Sequence, residues 1–124
     1  MKKLLVVIFA ISFFQSCFKA SRNCIDFKNG NFIFNYTING EEKEGRFTRN
    51  DTLNIDYFEG QIDSASVRWI NDCEYIMVKL HPKTKQEERA IHMKIISTTD
   101  DSYTFEYNFV GNSLKQRGTA KKVK

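Results

Sequence analysis

The chain has 124 residues, of which 19 are basic and 15 acidic, for a formal net charge of +4, and 41% are hydrophobic. This length allows one domain with one hydrophobic core and excludes a second. A nucleic-acid-binding surface is also excluded, because phosphate binding needs a concentrated basic face and these charges are interspersed. Only the tail residues Lys121, Lys122 and Lys124 form a basic cluster.

Residues 1–16 have the pattern of a bacterial export signal. Lys2 and Lys3 precede an apolar run over residues 4–14, which ends shortly before Cys17. The eleven residues of this run would span roughly 16 Å as a helix, about half of a hydrocarbon core, which disfavours a permanent transmembrane helix. The sequence therefore predicts a signal peptide over residues 1–16, a tether over 17–22 and one domain over 23–124. The mature chain would have 108 residues and a net charge of +2.

The segment Phe14-Gln15-Ser16-Cys17 resembles the lipobox of bacterial lipoproteins, although Phe14 and Gln15 stand where leucine and a small residue are usual. The resemblance implies that Cys17 carries acyl chains such as palmitate, which would hold the protein on a membrane almost permanently. The alternative is an ordinary cleaved signal with an incidental thiol. Phe18 stands where enteric lipoproteins retained at the inner membrane have aspartate. This favours the outer membrane, with the domain facing the periplasm.

Two cysteines remain once Cys17 is lipidated. Cys24 and Cys73 are 49 residues apart, and an even remainder in an oxidising compartment predicts one disulfide, whose loop closure would contribute about 4 kcal/mol. The alternative is two buried free thiols. A metal site that adds His81 and His92 is disfavoured, because the four residues lack the short paired spacings of zinc ligands. We expect no metal and no cofactor.

From Asn31 onward, apolar and polar residues alternate with the period of two that is typical of β-strands. Turn signals such as Asn39-Gly40 divide this region into about eight short strands. The simplest way for such an antiparallel meander to remove its exposed edges is to close. We therefore expect an all-β, lipocalin-like barrel that is closed or nearly closed, with a β-sandwich as the alternative. The predicted apolar stripes include Phe32, Phe34 and Tyr36; Leu53, Ile55 and Tyr57; Ala65, Val67 and Trp69; Ile91, Met93 and Ile95; and Tyr103, Phe105 and Tyr107.

Gly30-Asn31-Phe32 opens the first predicted strand, and Arg117 lies in the last. This arrangement resembles lipocalins and fatty-acid-binding proteins, in which a late arginine covers an aromatic ring two residues after a glycine. The resemblance implies a cation–π lid made by Phe32 and Arg117 over a cavity for an apolar ligand. The alternative is that the aromatic residues simply fill a small barrel.

Residues 67–75 combine an aromatic side chain with several charges. Arg68, Trp69, Asp72 and Glu74 form a candidate recognition patch. The alternative is a strand and turn anchored by Cys73, with the charges in water. No catalytic residue is assigned, because the sequence has no nucleophile motif, no phosphate-binding loop and no HExxH segment.

Several segments together resemble a family of short envelope lipoproteins from Bacteroidetes-type bacteria, whose activity is not established. The matching segments are Cys17, Arg22-Asn23-Cys24, Asp26-Phe27-Lys28, Gly30-x-Phe32, Arg49-Asn50-Asp51, residues 68–75 (RWINDCEY), Tyr103-Thr104-Phe105 and residues 116–119 (QRGT). Such sequences have been labelled as a DNA topoisomerase IV subunit. The sequence argues against that label, because a topoisomerase needs a DNA-gripping domain, an acidic metal site and a long basic surface.

The sequence favours a non-enzymatic, monomeric envelope lipoprotein whose β domain recognises another envelope component. A lipocalin-like carrier of a small apolar ligand is the second hypothesis, and a protease inhibitor or chaperone-like protector of the periplasm is the third. The first two differ in one structural property. A carrier needs a cavity of roughly 300 Å³ or more, whereas a recognition module needs a filled core and an exposed patch near Trp69.

Overall fold

The computed structural model describes residues 22–124, so the predicted signal peptide, most of the tether and Cys17 lie outside the described residues. Eight antiparallel strands form a closed barrel in which each strand pairs with its neighbours in the chain and β8 returns to β1. A 3₁₀ turn, Cys24–Phe27, precedes β1 Gly30–Ile38, β2 Glu41–Arg49, β3 Leu53–Phe58, β4 Gln61–Asn71, β5 Glu74–Lys79, β6 Ile91–Thr98, β7 Ser102–Phe109 and β8 Gln116–Val123. The predicted all-β closed meander is confirmed, and the sandwich alternative is excluded.

Tight hairpins set the order of the strands. At Asn39-Gly40 both residues have positive φ, 53° and 77°, and Glu59-Gly60 has 51° and 72°. Two consecutive positive φ values match the right-handed twist of the flanking strands, which is why Asn-Gly marks such turns in a sequence. No helix among the described residues is long and apolar enough to cross a membrane.

The two ends of the barrel differ. The 3₁₀ turn covers the end at which β1 begins, with Phe27 only 1% exposed, and we call this the closed end. At the same end, β1 pairs with β8 from Asn31↔Val123 to Phe34↔Ala120. Residues 35–38 of β1 pair only with β2 among the described strands. A slit between β1 and β8 therefore runs towards the other, open end.

The predicted alternation holds on most strands but is inverted on β3. Phe32, Ala65, Val67, Ile95 and Tyr103 are buried in the barrel, as the apolar stripes predict. On β3, by contrast, Asn54 is 3% exposed while Tyr57 is 42% exposed. Asn54 lies opposite Arg49 of β2, and Asp56 lies opposite the buried Phe47. Directly opposite residues share a face of the sheet, so the polar side chains of β3 point inward, and Leu53, Ile55 and Tyr57 point outward.

The predicted disulfide is confirmed. Cys24 and Cys73 are bonded, with their Cα atoms 5.2 Å apart, across 49 residues of chain. Cys73 lies in the turn between β4 and β5, at the closed end. The bond therefore attaches the 3₁₀ turn to the barrel that it covers.

Loss of this bond is expected to destabilise the protein by about 2 to 4 kcal/mol, because a long loop in the unfolded chain is no longer closed. Cys73→Ser should lower the midpoint of urea unfolding, and Cys24→Ser with Cys73→Ser should lower it little further, since both changes remove the same constraint. Chemical denaturation under non-reducing conditions measures both. If the double variant loses the sum of the stability losses of the two single variants, the two cysteines do not share one bond.

Candidate functional site

The closed end is organised around a buried guanidinium group. Arg49 is only 2% exposed. Its Nε donates a hydrogen bond to the Lys28 carbonyl at 3.2 Å, and its Nη2 donates one to the Phe27 carbonyl. Its Nη1 donates to the hydroxyls of Tyr75 at 2.8 Å and Tyr103 at 3.2 Å. The side chain thus joins the 3₁₀ turn to β2, β5 and β7.

Aromatic rings surround the same guanidinium. Its Cζ lies 4.9 to 5.7 Å from the centroids of five rings, those of Phe32, Phe47, Trp69, Tyr75 and Tyr103. No carboxylate of residues 22–124 forms an ion pair with it. Burial raises the pKa of Tyr75 and of Tyr103, so both hydroxyls are neutral and accept hydrogen bonds while keeping their protons. Neutral acceptors and ring faces therefore replace the usual anionic partner.

The predicted lid of Arg117 over Phe32 is wrong. Arg117 lies on the outer face of β8, its side chain is 67% exposed, and its Nε is 3.3 Å from Glu106 on β7. The inward positions of β8 belong to Gly118 and Ala120 instead; Ala120 is fully buried. Arg49 covers Phe32, at 5.0 Å from its centroid.

The candidate recognition patch is not assembled either. Trp69 points into the barrel, where its ring lies 4.5 Å from that of Tyr75, and Lys28 Nζ is 4.9 Å from the Trp69 ring centroid. Trp69 Nε1 is buried and has no hydrogen-bond partner in the described part of the chain. The other three residues lie outside the barrel or in the adjoining turn: Arg68 is exposed, Asp72 pairs with Lys28 at 3.0 Å, and Glu74 pairs with His92 at 3.0 Å.

A chamber of about 130 Å³ lies beside Arg49. Its polar lining comes from Arg49, Asn54 and Asp56 on β2 and β3. Its apolar lining includes Phe34, Met77, Met93 and Phe105. The chamber is a mainly apolar space with a polar group of side chains at one side.

A larger cleft of about 570 Å³ adjoins this chamber. The two spaces share four lining residues, Phe34, Met77, Met93 and Phe105. The cleft also reaches Asn35 and Thr37 of β1 and Arg117 and Thr119 of β8, which border the slit. A Cβ added at Gly118 would lie 2.6 Å from the Phe105 ring, so glycine at this position leaves room for that ring in the cleft wall.

Asp56 is the unusual ionisable group of the chamber. Asn54 Nδ2 donates a hydrogen bond to its Oδ1 at 2.9 Å, and within residues 22–124 the carboxylate makes no ion pair. Burial raises the pKa of Asp56 to about 6, and the nearby Asp63 adds to the increase. Asp63 itself pairs with Lys79 at 3.1 Å. A carboxyl group that lines a cavity and has a raised pKa is typical of functional sites.

The residues that shape the chamber, Arg49, Asn54 and Asp56, were not among the site residues predicted from the sequence. Arg49 follows Phe47 at a spacing of two, so the period of the strand could have placed it inside. The period of β3 could not place Asn54 and Asp56 inside, because Leu53, Ile55 and Tyr57 form an apolar stripe on the opposite face of the same strand.

No protein-family model matches the sequence, and no curated protein matches it significantly. Within residues 22–124, no group of three or more His, Cys, Asp and Glu side chains is arranged to hold a metal ion.

Replacing Arg49 should destabilise the barrel strongly. Arg49→Met leaves two backbone carbonyls and two hydroxyls without their donor, and we expect a loss of about 3 to 5 kcal/mol in the free energy of unfolding. Arg117→Ala, the matched control, breaks only an exposed ion pair and should cost less than about 1 kcal/mol. Urea titration measures both. Equal losses would show that Arg49 does not hold the closed end together.

Asp56→Asn should stabilise the protein at neutral pH. The folded-state pKa of about 6 lies above the ordinary value of 3.8, so the folded chain binds this proton more tightly than the unfolded chain, and stability is lost as the pH rises from about 4 through 6. We expect a gain of about 1 to 2 kcal/mol for the variant at pH 7.5 that disappears below pH 4, allowing for partial exposure to solvent. Thermal melts across this range provide the measurement. Asp63→Asn is the control: the repulsion of Asp56 that it relieves is offset by loss of the pair with Lys79, so it should give a smaller gain.

Proposed function

We propose that the protein is a lipid-anchored envelope protein whose barrel binds a small ligand with an apolar body, as a lipocalin-like carrier does. The observation that carries this proposal is the cleft of about 570 Å³ that adjoins the inner chamber. Its volume is within the range of roughly 300 to 1,000 Å³ of small-molecule sites.

The composition of the cavity supports the same function. Phe34, Met77, Met93 and Phe105 supply the apolar lining common to the cleft and the chamber. Asn54 and Asp56 lie at the inner end. Ligand sites in proteins combine a mainly apolar wall with a few polar groups that orient the ligand, and methionine adapts its flexible side chain to irregular shapes.

The geometry gives less support to a recognition module centred on Trp69. That module would need an exposed aromatic patch, and the Trp69 ring packs inside against Tyr75. The charged residues of the suggested patch are engaged separately, Asp72 with Lys28 and Glu74 with His92. The carrier is therefore the better hypothesis.

The anchor at Cys17 remains part of the proposal and follows from the sequence. It would fix the barrel at a membrane, with the outer membrane and its periplasmic side as the expected location. A carrier in that position would hold its ligand next to the lipid surface. The disulfide suits the same compartment, because such bonds persist where the environment is oxidising.

The methionines give a direct test of ligand binding. The chain has three, and Met1 would leave with the signal peptide, so the mature protein keeps Met77 and Met93, both of which line the cavity. With methyl-¹³C methionine in the full mature protein, 4-phenyl-1-butanol should shift both methyl signals in a saturable manner.

Two variants make this experiment specific. Gly118→Val places its side chain against the Phe105 ring, and displacement of that ring into the cleft should weaken binding about tenfold or more. A circular dichroism spectrum like that of the parent protein shows that the variant barrel is folded. Thr104→Val is the control, because Thr104 lies on β7 beside Phe105 and borders neither space. Methyl signals that do not respond to the alcohol, or that respond equally in Gly118→Val, would overturn the proposed function.

A further inference from the structure

The polar part of the chamber has an unequal supply of hydrogen-bond donors and acceptors. Four of the five N–H donors of Arg49 are directed to two carbonyls and two hydroxyls. Asn54 is 97% buried and uses its Nδ2 to bind Asp56. This bond fixes the orientation of the amide and leaves Asn54 Oδ1 as an acceptor.

Two oxygen atoms in the chamber lack donors. Oδ1 of Asn54 and Oδ2 of Asp56 accept no hydrogen bond from any of residues 22–124. Both side chains line the chamber. Neither oxygen is among the fully enclosed atoms of the described residues, so both can accept a hydrogen bond from a molecule in the chamber, and the complementary occupant is one that brings N–H donors.

The charges around the chamber favour the same occupant. The Arg49 cation is enclosed by five rings, and four of its five N–H groups already donate to neutral acceptors, so an anion would find one remaining donor there and would have to displace these contacts to gain another. The Asp56 carboxylate has no cation bonded to it among the described residues, whereas the neighbouring Asp63 is paired with Lys79. Within residues 22–124, Asp56 is therefore a carboxylate of the chamber lining without an ion pair, and its negative charge is less enclosed than the positive charge of Arg49.

On these grounds, and resting on the proposed function, we infer that the cavity selects a small organic cation. An ammonium group would bind Asn54 Oδ1 and the Asp56 carboxylate. An apolar body attached to it would lie along Phe34, Met77 and Phe105 towards the slit. The aromatic rings of Phe34 and Phe105 offer ring faces that attract cations as well as apolar contact.

The test compares three probes that share one apolar body: 4-phenylbutylamine, 4-phenyl-1-butanol and 4-phenylbutyrate. Titrations monitored by the Met77 and Met93 methyl signals at pH 7.5 should show the amine binding at least tenfold more tightly than the alcohol, and the carboxylate more weakly than either. If all three bind equally, the proposed function stands and the selectivity for cations is wrong. If none binds, the proposed function itself fails.

Two variants locate the selectivity. Asp56→Asn should abolish the advantage of the amine over the alcohol, and the Met77 and Met93 methyl signals of the unliganded variant should show that the cavity remains folded. Asp63→Asn makes the same change of charge on the facing strand, outside the chamber lining, and should retain the advantage. If the preference for the amine falls equally in both variants, it comes from the overall negative charge near the chamber, and the direct contact between the ammonium group and Asp56 is wrong.

The preference for the amine should also depend on pH. Below about pH 6 Asp56 takes up a proton, and the amine should lose its advantage over the alcohol as the pH falls to 5. A preference that persists unchanged at pH 5 would contradict the inference.

Other ionisable groups also surround Asp56. They are Arg49 on β2, Asp63 on β4, Tyr75 and Lys79 on β5, Tyr103 on β7, and Glu87, which is bonded to Lys79.

Discussion

The closed end of the barrel depends on one buried cation. Arg49 replaces the carboxylate that usually accompanies a buried guanidinium with two backbone carbonyls, two tyrosine hydroxyls and five ring faces. Each ring contact contributes up to about 2 kcal/mol when it is shielded from water. Neutral partners cost less to desolvate than an anion would. A strong interaction centre is thus built without an ion pair.

This cation makes the 3₁₀ turn part of the barrel. The carbonyls of Phe27 and Lys28 point towards the guanidinium, while the disulfide holds the first residue of the turn to Cys73. Lys122 Nζ adds a hydrogen bond to the Asp26 carbonyl at 2.6 Å. A covalent bond and hydrogen bonds from two cations to backbone carbonyls therefore close this end of the barrel.

Fold and site differed in how much of them could be predicted from the sequence. Turn residues such as Asn39-Gly40 and the alternation on β1, β4, β6 and β7 were enough to predict an eight-stranded closed meander, because both signals are local. The Cys24–Cys73 bond could be predicted because two cysteines remain once Cys17 is assigned to the lipid anchor. The face of β3 did not, since Leu53, Ile55 and Tyr57 form an apolar stripe as regular as any other. The register with Arg49 and Phe47 decides which face is inside, and that register belongs to the tertiary structure.

The arginine was misplaced for a related reason. The resemblance to other barrels points to an arginine in the last strand, but Gly118 and Ala120 take the inward positions of β8 and leave Arg117 outside. Small residues at alternate positions of β8 leave space for Phe105 and for the closed-end core. The cation above Phe32 is Arg49, which lies on β2, the strand next to β1. A functional arrangement can therefore be predicted correctly in kind while the residue that provides it is assigned wrongly.

The seam between β1 and β8 is shorter than the strands that form it. Its register of pairs runs only from residue 31 to 34 of β1, and it lies at the end where Arg49 and the disulfide restrain the chain. Beyond Phe34, β1 is paired on its β2 side only among the described strands, so this margin keeps the unpaired N–H and C=O groups of an edge strand within an otherwise closed barrel. That short edge lies away from the contacts of Arg49 and the disulfide, which stabilise the opposite end.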